Sequence, residues 1–161
     1  MNHLEEDLDV YNERNYTLSD LKIFTGLTDR TLRNYLAMGI LLGEKLNGIW
    51  HFSAKQVNEF MAHPSVRPSI VAKNNALVYD FLLKKEDTEN RCCMVLDLPR
   101  KMRKIAIKYF CEKINQGEFQ NMQFSLDSPM GKPTRIILKG KTQQIIRLVN
   151  GYYDMQEECV L

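Results

Sequence analysis

The segment Asp29-Arg30-Thr31-Leu32-Arg33-Asn34-Tyr35-Leu36 separates polar from apolar residues at helical spacing. With Leu32, Tyr35 and Leu36 turned inward, Asp29, Arg30, Arg33 and Asn34 turn outward, which puts two guanidinium forks and one carboxamide on a single side. These donors match planar acceptors: a guanidinium pairs with a guanine edge or a phosphate, and a carboxamide with an adenine edge. Arg30 on guanine, Asn34 on adenine and Arg33 on phosphate is one distribution, and spacing alone leaves these roles interchangeable with one another and with a plain solvated face. Farther on, Lys45, Asn47 and His51 bring a charge and hydrogen-bonding groups suited to phosphate oxygens. Other chemistries find no counterpart. There is no glycine-rich nucleotide loop, paired-carboxylate motif or nucleophile beside a base, so an enzyme is not expected. His3, His51 and His63 stand at no ligand spacing to one another or to a cysteine, and no C-x-x-C pair occurs, so neither a metal nor another cofactor is expected.

The elements around these residues are signalled locally. Thr17-Leu18-Ser19-Asp20 fits a capping box opening a short helix with Leu18, Leu21 and Phe24 inward, and Gly26 closes it. Thr28 caps the next helix, which Gly39 ends. Two short helices joined by a brief glycine-containing turn outline a helix-turn-helix. Asn47-Gly48, between Lys45-Leu46 and Ile49-Trp50, predicts a tight hairpin, a small wing in which Trp50 and Phe52 share the inner face. Ser53-Ala54-Lys55-Gln56 is a second capping box, opening a helix with Val57, Phe60 and Met61 on one face.

The order helix, turn, helix, hairpin, helix resembles the winged helix-turn-helix of MerR-family transcriptional regulators, and is similar to excisionase-type DNA-binding domains. The residues that carry the resemblance are Tyr16-Thr17, Leu21, Thr25-Gly26, Arg30-Thr31-Leu32-Arg33, Tyr35 and Gly39-Ile40-Leu41, within a stretch from Tyr16 to Ala62. It implies double-stranded DNA as a partner, with Thr28, Arg30, Thr31, Arg33, Asn34, Lys45, Asn47 and His51 as the contacting residues. It also implies dimers that read two half-sites, with RNA polymerase and a small-molecule effector as further candidate partners.

His63-Pro64-Ser65-Val66-Arg67-Pro68 reads as a linker or tight connection, and the domain boundary is placed there. From about Pro68 to Lys85 a connecting helix is expected, its stripe formed by Ile70, Val71, Leu77, Val78, Phe81 and Leu82. Arg91 to Asp97, with the run Cys92-Cys93-Met94-Val95-Leu96, reads as a strand buried on both faces. Pro99 opens a helix with Met102, Ile105, Ala106, Tyr109, Phe110 and Ile114 inward; strands follow over Phe119 to Asp127 and Thr134 to Lys139. A last helix from about Thr142 to Tyr153 turns Ile145, Ile146, Leu148 and Val149 inward. Phe119, Phe124, Tyr152 and Tyr153 are expected in the core rather than around a ligand. Arg100, Lys101, Arg103, Lys104 and Lys108 make one side of the middle helix basic, either as a solvated face or as an extension of a nucleic-acid surface.

The expected fold class is thus α+β: a winged helix-turn-helix over residues 16–63, then a connecting helix and a small β-α-β-β-α dimerisation or sensor domain over 64–161. Residues 1–15 precede them as a disordered acidic leader. Charge follows the same division: residues 1–13 hold five acids and no base, whereas residues 64–161 hold sixteen bases against eleven acids. With no long apolar run and acids where a signal peptide carries bases, a cytoplasmic location without membrane contact is expected, its cysteines buried and reduced. A sequence-specific transcriptional regulator that acts as a homodimer is the leading expectation. An excisionase-like architectural protein for recombination or a protein-interaction scaffold is the alternative, and an enzyme carried on a DNA-binding unit the third.

Overall fold

Capping chemistry sets the first elements. The Thr17 amide donates to Asp20 Oδ2 at 2.9 Å and the Asp20 amide returns a bond to Thr17 Oγ1, opening helix α1 (Leu18–Thr25), which Gly26 closes at φ 69°. Thr28 accepts from the Thr31 amide at 3.2 Å and opens α2 (Asp29–Ala37). Strands β1 (Glu44–Leu46) and β2 (Ile49–His51) pair antiparallel around Asn47 and Gly48, both at positive φ, the geometry of a two-residue turn whose twist matches the strands. Ser53 and Gln56 exchange the two bonds of a second capping box and open α3 (Ala54–Ala62).

In the computed structural model, residues 16–160 are described except Glu86, Gln120 and Met130 and the side chains of residues 158–160. The leader expected over residues 1–15 lies outside the described residues. Beyond α3 the chain runs α4 (Arg67–Leu83), β3 (Arg91–Leu98), a single 3-10 turn over Arg100–Met102, α5 (Arg103–Asn115), β4 (Gln123–Asp127), β5 (Thr134–Lys141) and α6 (Thr142–Val160). The fold is mixed α+β with two small antiparallel sheets. The larger has the order β3-β5-β4, so β5 is central and β3 and β4 are edges.

Period two divides that sheet's faces. Leu126 on β4 and Ile136 and Leu138 on β5 are buried in the core shared with α5 and α6, where Phe110 stacks on Phe124 with ring centroids 6.0 Å apart. Tyr109 donates to the Leu148 carbonyl at 2.7 Å, tying α5 to α6, and burial pushes its hydroxyl pKa up. On the opposite face lies α4: Ser125 is hydrogen-bonded to Asn74, and Lys139 donates to the Leu77 carbonyl.

The segment 63–68 is the tight connection, not a loose tether. Val66 is fully buried, the amides of Val66 and Arg67 donate to the His63 carbonyl, and Tyr35 reaches the Ser65 carbonyl. Across it, α1 packs against β4, Asn115 donates to Asp20 at 2.8 Å, and Arg103 bonds Asn58. One apolar cluster therefore runs from Leu21 and Phe24 to Leu148 and Tyr152.

Several expectations are corrected. β3 is not buried on both faces: it is an edge strand, and Val95 is exposed, because an apolar run without period does not distinguish an edge from a centre. On α4, Val71 and Leu82 are exposed while Asn74 is buried, since the helix meets the sheet through a polar pair to Ser125. On α5, Ile105 is exposed, and Ile107 and Cys111 are buried in its place. Phe119 is buried in the turn before β4 rather than in a strand, which starts only at Gln123. α6 extends past Tyr153 to Val160, with Ile146 exposed. Phe119 and Tyr152 are core residues, Phe124 is half-buried, and Tyr153 is exposed. Of the cysteines, Cys111 is buried but Cys92 and Cys93 are half-buried free thiols, because the strand that carries them is an edge. Among the described residues, no helix is long and apolar enough to cross a membrane.

Candidate nucleic-acid interface

Helix α2 is held to the body by little of its own surface. Leu32 is its one fully buried residue; Tyr35 and Leu36 are half-buried, Tyr35 lying edge-on to Phe60 at 5.4 Å between ring centroids. The opposite side therefore faces solvent over its whole length, as an apolar stripe this narrow requires. Arg30, Arg33 and Asn34 are exposed on it. Arg30 and Asn34 have no side-chain partner among the described residues, so their donors are available to an incoming acceptor.

Arg33 differs. Its Nε donates to Asp29 Oδ2 at 2.7 Å, an exposed ion pair one helical turn long. A phosphate that engages Arg33 must compete with this carboxylate. At the start of α2 the hydroxyls of Thr28 and Thr31 share a hydrogen bond of 2.9 Å, and Thr28 also caps the Thr31 amide. These two residues shape the first turn, while Thr28 stays exposed.

The hairpin that follows this helix in the chain is exposed from Glu44 to Ile49. Lys45 Nζ lies 5.9 Å from the centroid of the Trp50 ring, a cation–π contact that holds the ammonium close to the hairpin. Asn47 sits at the tip at φ 51°, and His51 is half-buried at the strand exit opposite Glu44. Trp50 is half-buried and stacks over Phe52, which is fully buried. The base of the hairpin has a third short partner: Tyr16 and Phe52 exchange two backbone bonds of 2.7 Å each, fastening the hairpin to the residue before the Thr17 cap.

Thr28, Arg30, Thr31, Arg33 and Asn34 are thus brought together on one helix and its cap, and Lys45, Asn47 and His51 on the hairpin that follows it in the chain. The basic middle helix does not form one continuous charged face. Arg103 is half-buried, bonding Ser128 and Asn58, and the exposed Arg100 donates through Nη1 to the Gly131 carbonyl at 3.2 Å; Lys101, Lys104 and Lys108 are exposed as well. Lysines that sequence reasoning passed over lie near the Thr28 cap instead. A cleft of about 550 Å³ beside Thr28 and Asp29 is lined by Lys22, Lys73 and Lys139, contributed by α1, α4 and β5. Lys22 and Lys73 carry no sequence signal beyond their charge; Lys139, a base inside a buried strand, is conspicuous. Among the described residues, no group of three or more His, Cys, Asp or Glu side chains is placed to hold a metal ion.

Comparison with known proteins gives no match to a family model, to a curated protein or to a solved structure.

Proposed function

We propose that this chain is a sequence-specific double-stranded DNA-binding protein, a transcriptional regulator of the MerR-like winged helix-turn-helix type that works in the cytoplasm as a dimer. One observation carries the reading: α2 buries Leu32 alone and turns to solvent the donors of Arg30 and Asn34, which have no side-chain partner among the described residues, and the chain goes on to an exposed hairpin tipped by Asn47. A rod presented in this way enters a major groove by its first turn, while the hairpin reaches the flanking phosphates. Dimerisation is supported by the outer edge of β3, which has no partner strand among the described residues, and by Val71, Tyr79, Leu82 and Leu83, exposed on α4. A two-fold dimer doubles the phosphate contacts of a modestly basic unit and reads an inverted repeat.

Selection of the full chain against a random duplex library, followed by mobility shift at two salt concentrations, tests this. Enrichment of a defined motif with two half-sites supports the regulator, and recovery of no motif at either salt concentration refutes it. Sedimentation of the full chain at micromolar concentration tests the dimer.

A second reading is favoured by one observation. Met38, Leu42, Leu46 and Ile49 are exposed apolar residues after α2 and on the hairpin. Grouped apolar side chains mark protein contacts more often than phosphate contacts, which suits the scaffold alternative. Under it Leu46→Ser with Ile49→Ser abolishes partner capture, whereas under the DNA reading duplex affinity is unchanged.

A further inference from the structure

Lys139 is out of place on β5. Its neighbours from Ile136 to Gly140 are buried, and Lys139 itself is 8% exposed. Its Nζ donates to the Leu77 carbonyl at 3.2 Å, and it forms no ion pair among the described residues. An ammonium has three protons to donate, and the single protein acceptor leaves two of them for an acceptor in the cleft that Lys139 lines.

The surroundings supply room for one. Lys139 lines an open cleft of about 750 Å³ between the end of α4 and the sheet, a volume in the range of small-molecule sites. Lys84 and Lys85, just past α4, bring two more charges to its wall; both are exposed and without an ion pair among the described residues. Arg91 also lines the cleft, its guanidinium partly engaged by Glu89 at 3.4 Å. The other wall residues have different chemistry: Phe81 offers the aromatic ring, Gln123 a carboxamide and Asp80 a carboxylate.

We propose that this cleft binds a nucleoside di- or triphosphate. Lys84, Lys85 and Lys139 neutralise its phosphates, and the Phe81 ring takes the base. Asp80 decides against a bare polyphosphate, because its carboxylate repels one but accepts a bond from a ribose hydroxyl or an exocyclic amine. Burial decides against a duplex, because a stiff convex rod touches exposed lysines and does not reach one recessed to 8% exposure. Arg30, Arg33 and Asn34 do not line this cleft, so it does not depend on the DNA reading, and Lys139, Asp80 and Gln123 also line the neighbouring cleft beside Thr28.

Titration calorimetry of the full chain with ADP and with inorganic pyrophosphate, in the absence of DNA, tests the proposal. ADP is expected to bind about tenfold more tightly than pyrophosphate, since only ADP uses Phe81 and Asp80. Lys84→Ala with Lys85→Ala is expected to weaken ADP by about tenfold or more; both positions are exposed, so the fold stands. Lys139→Met is expected to abolish ADP binding without loss of thermal stability, because an apolar side chain of similar length fills the buried place of the lysine stem on β5. If that variant does not fold, the exposed double variant carries the test. No ADP binding at millimolar concentration, equal affinity for ADP and pyrophosphate, or an unchanged double variant overturns the proposal. If the double variant loses selected-duplex affinity as steeply as ADP affinity, the charges belong to DNA and the nucleotide assignment is overturned. Failure of the DNA reading leaves the titration untouched.

Discussion

Arg67 and Asp127 form a two-point ion pair: Nη1 meets Oδ1 at 2.7 Å and Nη2 meets Oδ2 at 2.9 Å. The pair joins the first turn of α4 to the end of β4, and its hydrogen bonds to Asp127 raise the Arg67 pKa. Both side chains are largely shielded, so each shelters the other from loss of solvent. Arg67→Met or Asp127→Asn is expected to lower stability by about 2 kcal/mol, the cost of stranding one charged partner of a bidentate pair. Urea denaturation reads this. Because α1 packs against β4 and one apolar cluster spans the chain, both variants are expected to unfold in a single transition. Two separated transitions in the parent would show that the halves fold apart.

The contrast between this pair and the capping boxes explains what was legible in the sequence. Thr17 with Asp20, Thr28 with Thr31, Ser53 with Gln56 and the Asn47-Gly48 turn are local chemistry, complete within a few residues, and were readable as such. The exposed face of α2 followed from the spacing of Leu32, Tyr35 and Leu36. Arg67–Asp127, Asn74–Ser125 and the Tyr16–Phe52 bridge join residues far apart in sequence, and no periodicity announces them. The errors on α4 have this origin: Asn74 is inside because it bonds Ser125, while Val71 is exposed. The edge position of β3 is likewise topological, invisible in Cys92-Cys93-Met94-Val95-Leu96. In the candidate site, the Asp29–Arg33 pair was legible as an i, i+4 spacing; reading Arg33 only as a donor overlooked it.

Gly151 lies within α6, where a glycine ordinarily costs about 1 kcal/mol relative to alanine. Here the usual replacement is expected to fail. A Cβ at this position would fall on the Tyr109 hydroxyl oxygen, which is bonded to the Leu148 carbonyl. Gly151→Ala is therefore expected to destabilise by about 1–3 kcal/mol, the typical cost of overpacking. Adding Tyr109→Phe removes the obstructing oxygen and is expected to recover part of the loss. A rise in melting temperature in the single variant would contradict this packing.

Asp97 on β3 and Arg135 on β5 face each other across the sheet, with Nε to Oδ1 at 2.7 Å and Nη2 to Oδ2 at 2.8 Å. The hydrogen bonds from Arg135 hold the Asp97 carboxyl below its usual range. A carboxyl whose pKa is lower folded than unfolded adds stability that is complete above the unfolded value, about 4, and disappears as pH falls through the folded value. The gap in urea midpoint between parent and Asp97→Asn is thus expected to be constant near neutrality and to close below about pH 4. The pair is exposed, so the gap is also expected to narrow with salt. A gap that persists unchanged at low pH would assign the effect to packing.

Asp29 offers the sharpest test of the DNA reading, because its carboxylate works against the contact that its neighbour would make. The Asp29–Arg33 bond of 2.7 Å must be exchanged for a phosphate when a duplex arrives, and the carboxylate itself repels the backbone. Asp29→Asn frees the guanidinium and removes the repulsion while keeping the polar first turn. Affinity for the selected duplex is expected to rise several-fold. Arg33→Ala is expected to weaken all sequences alike and to reduce the salt slope by about one. Arg30→Ala, which removes an unpaired fork, is expected to cost about 1–3 kcal/mol and to relax preference at one base position. Fluorescence anisotropy across a salt series distinguishes these three. Asp29→Asn that binds more weakly than the parent would mean that the ion pair holds α2 in its reading position, and that Arg33 is not a phosphate contact.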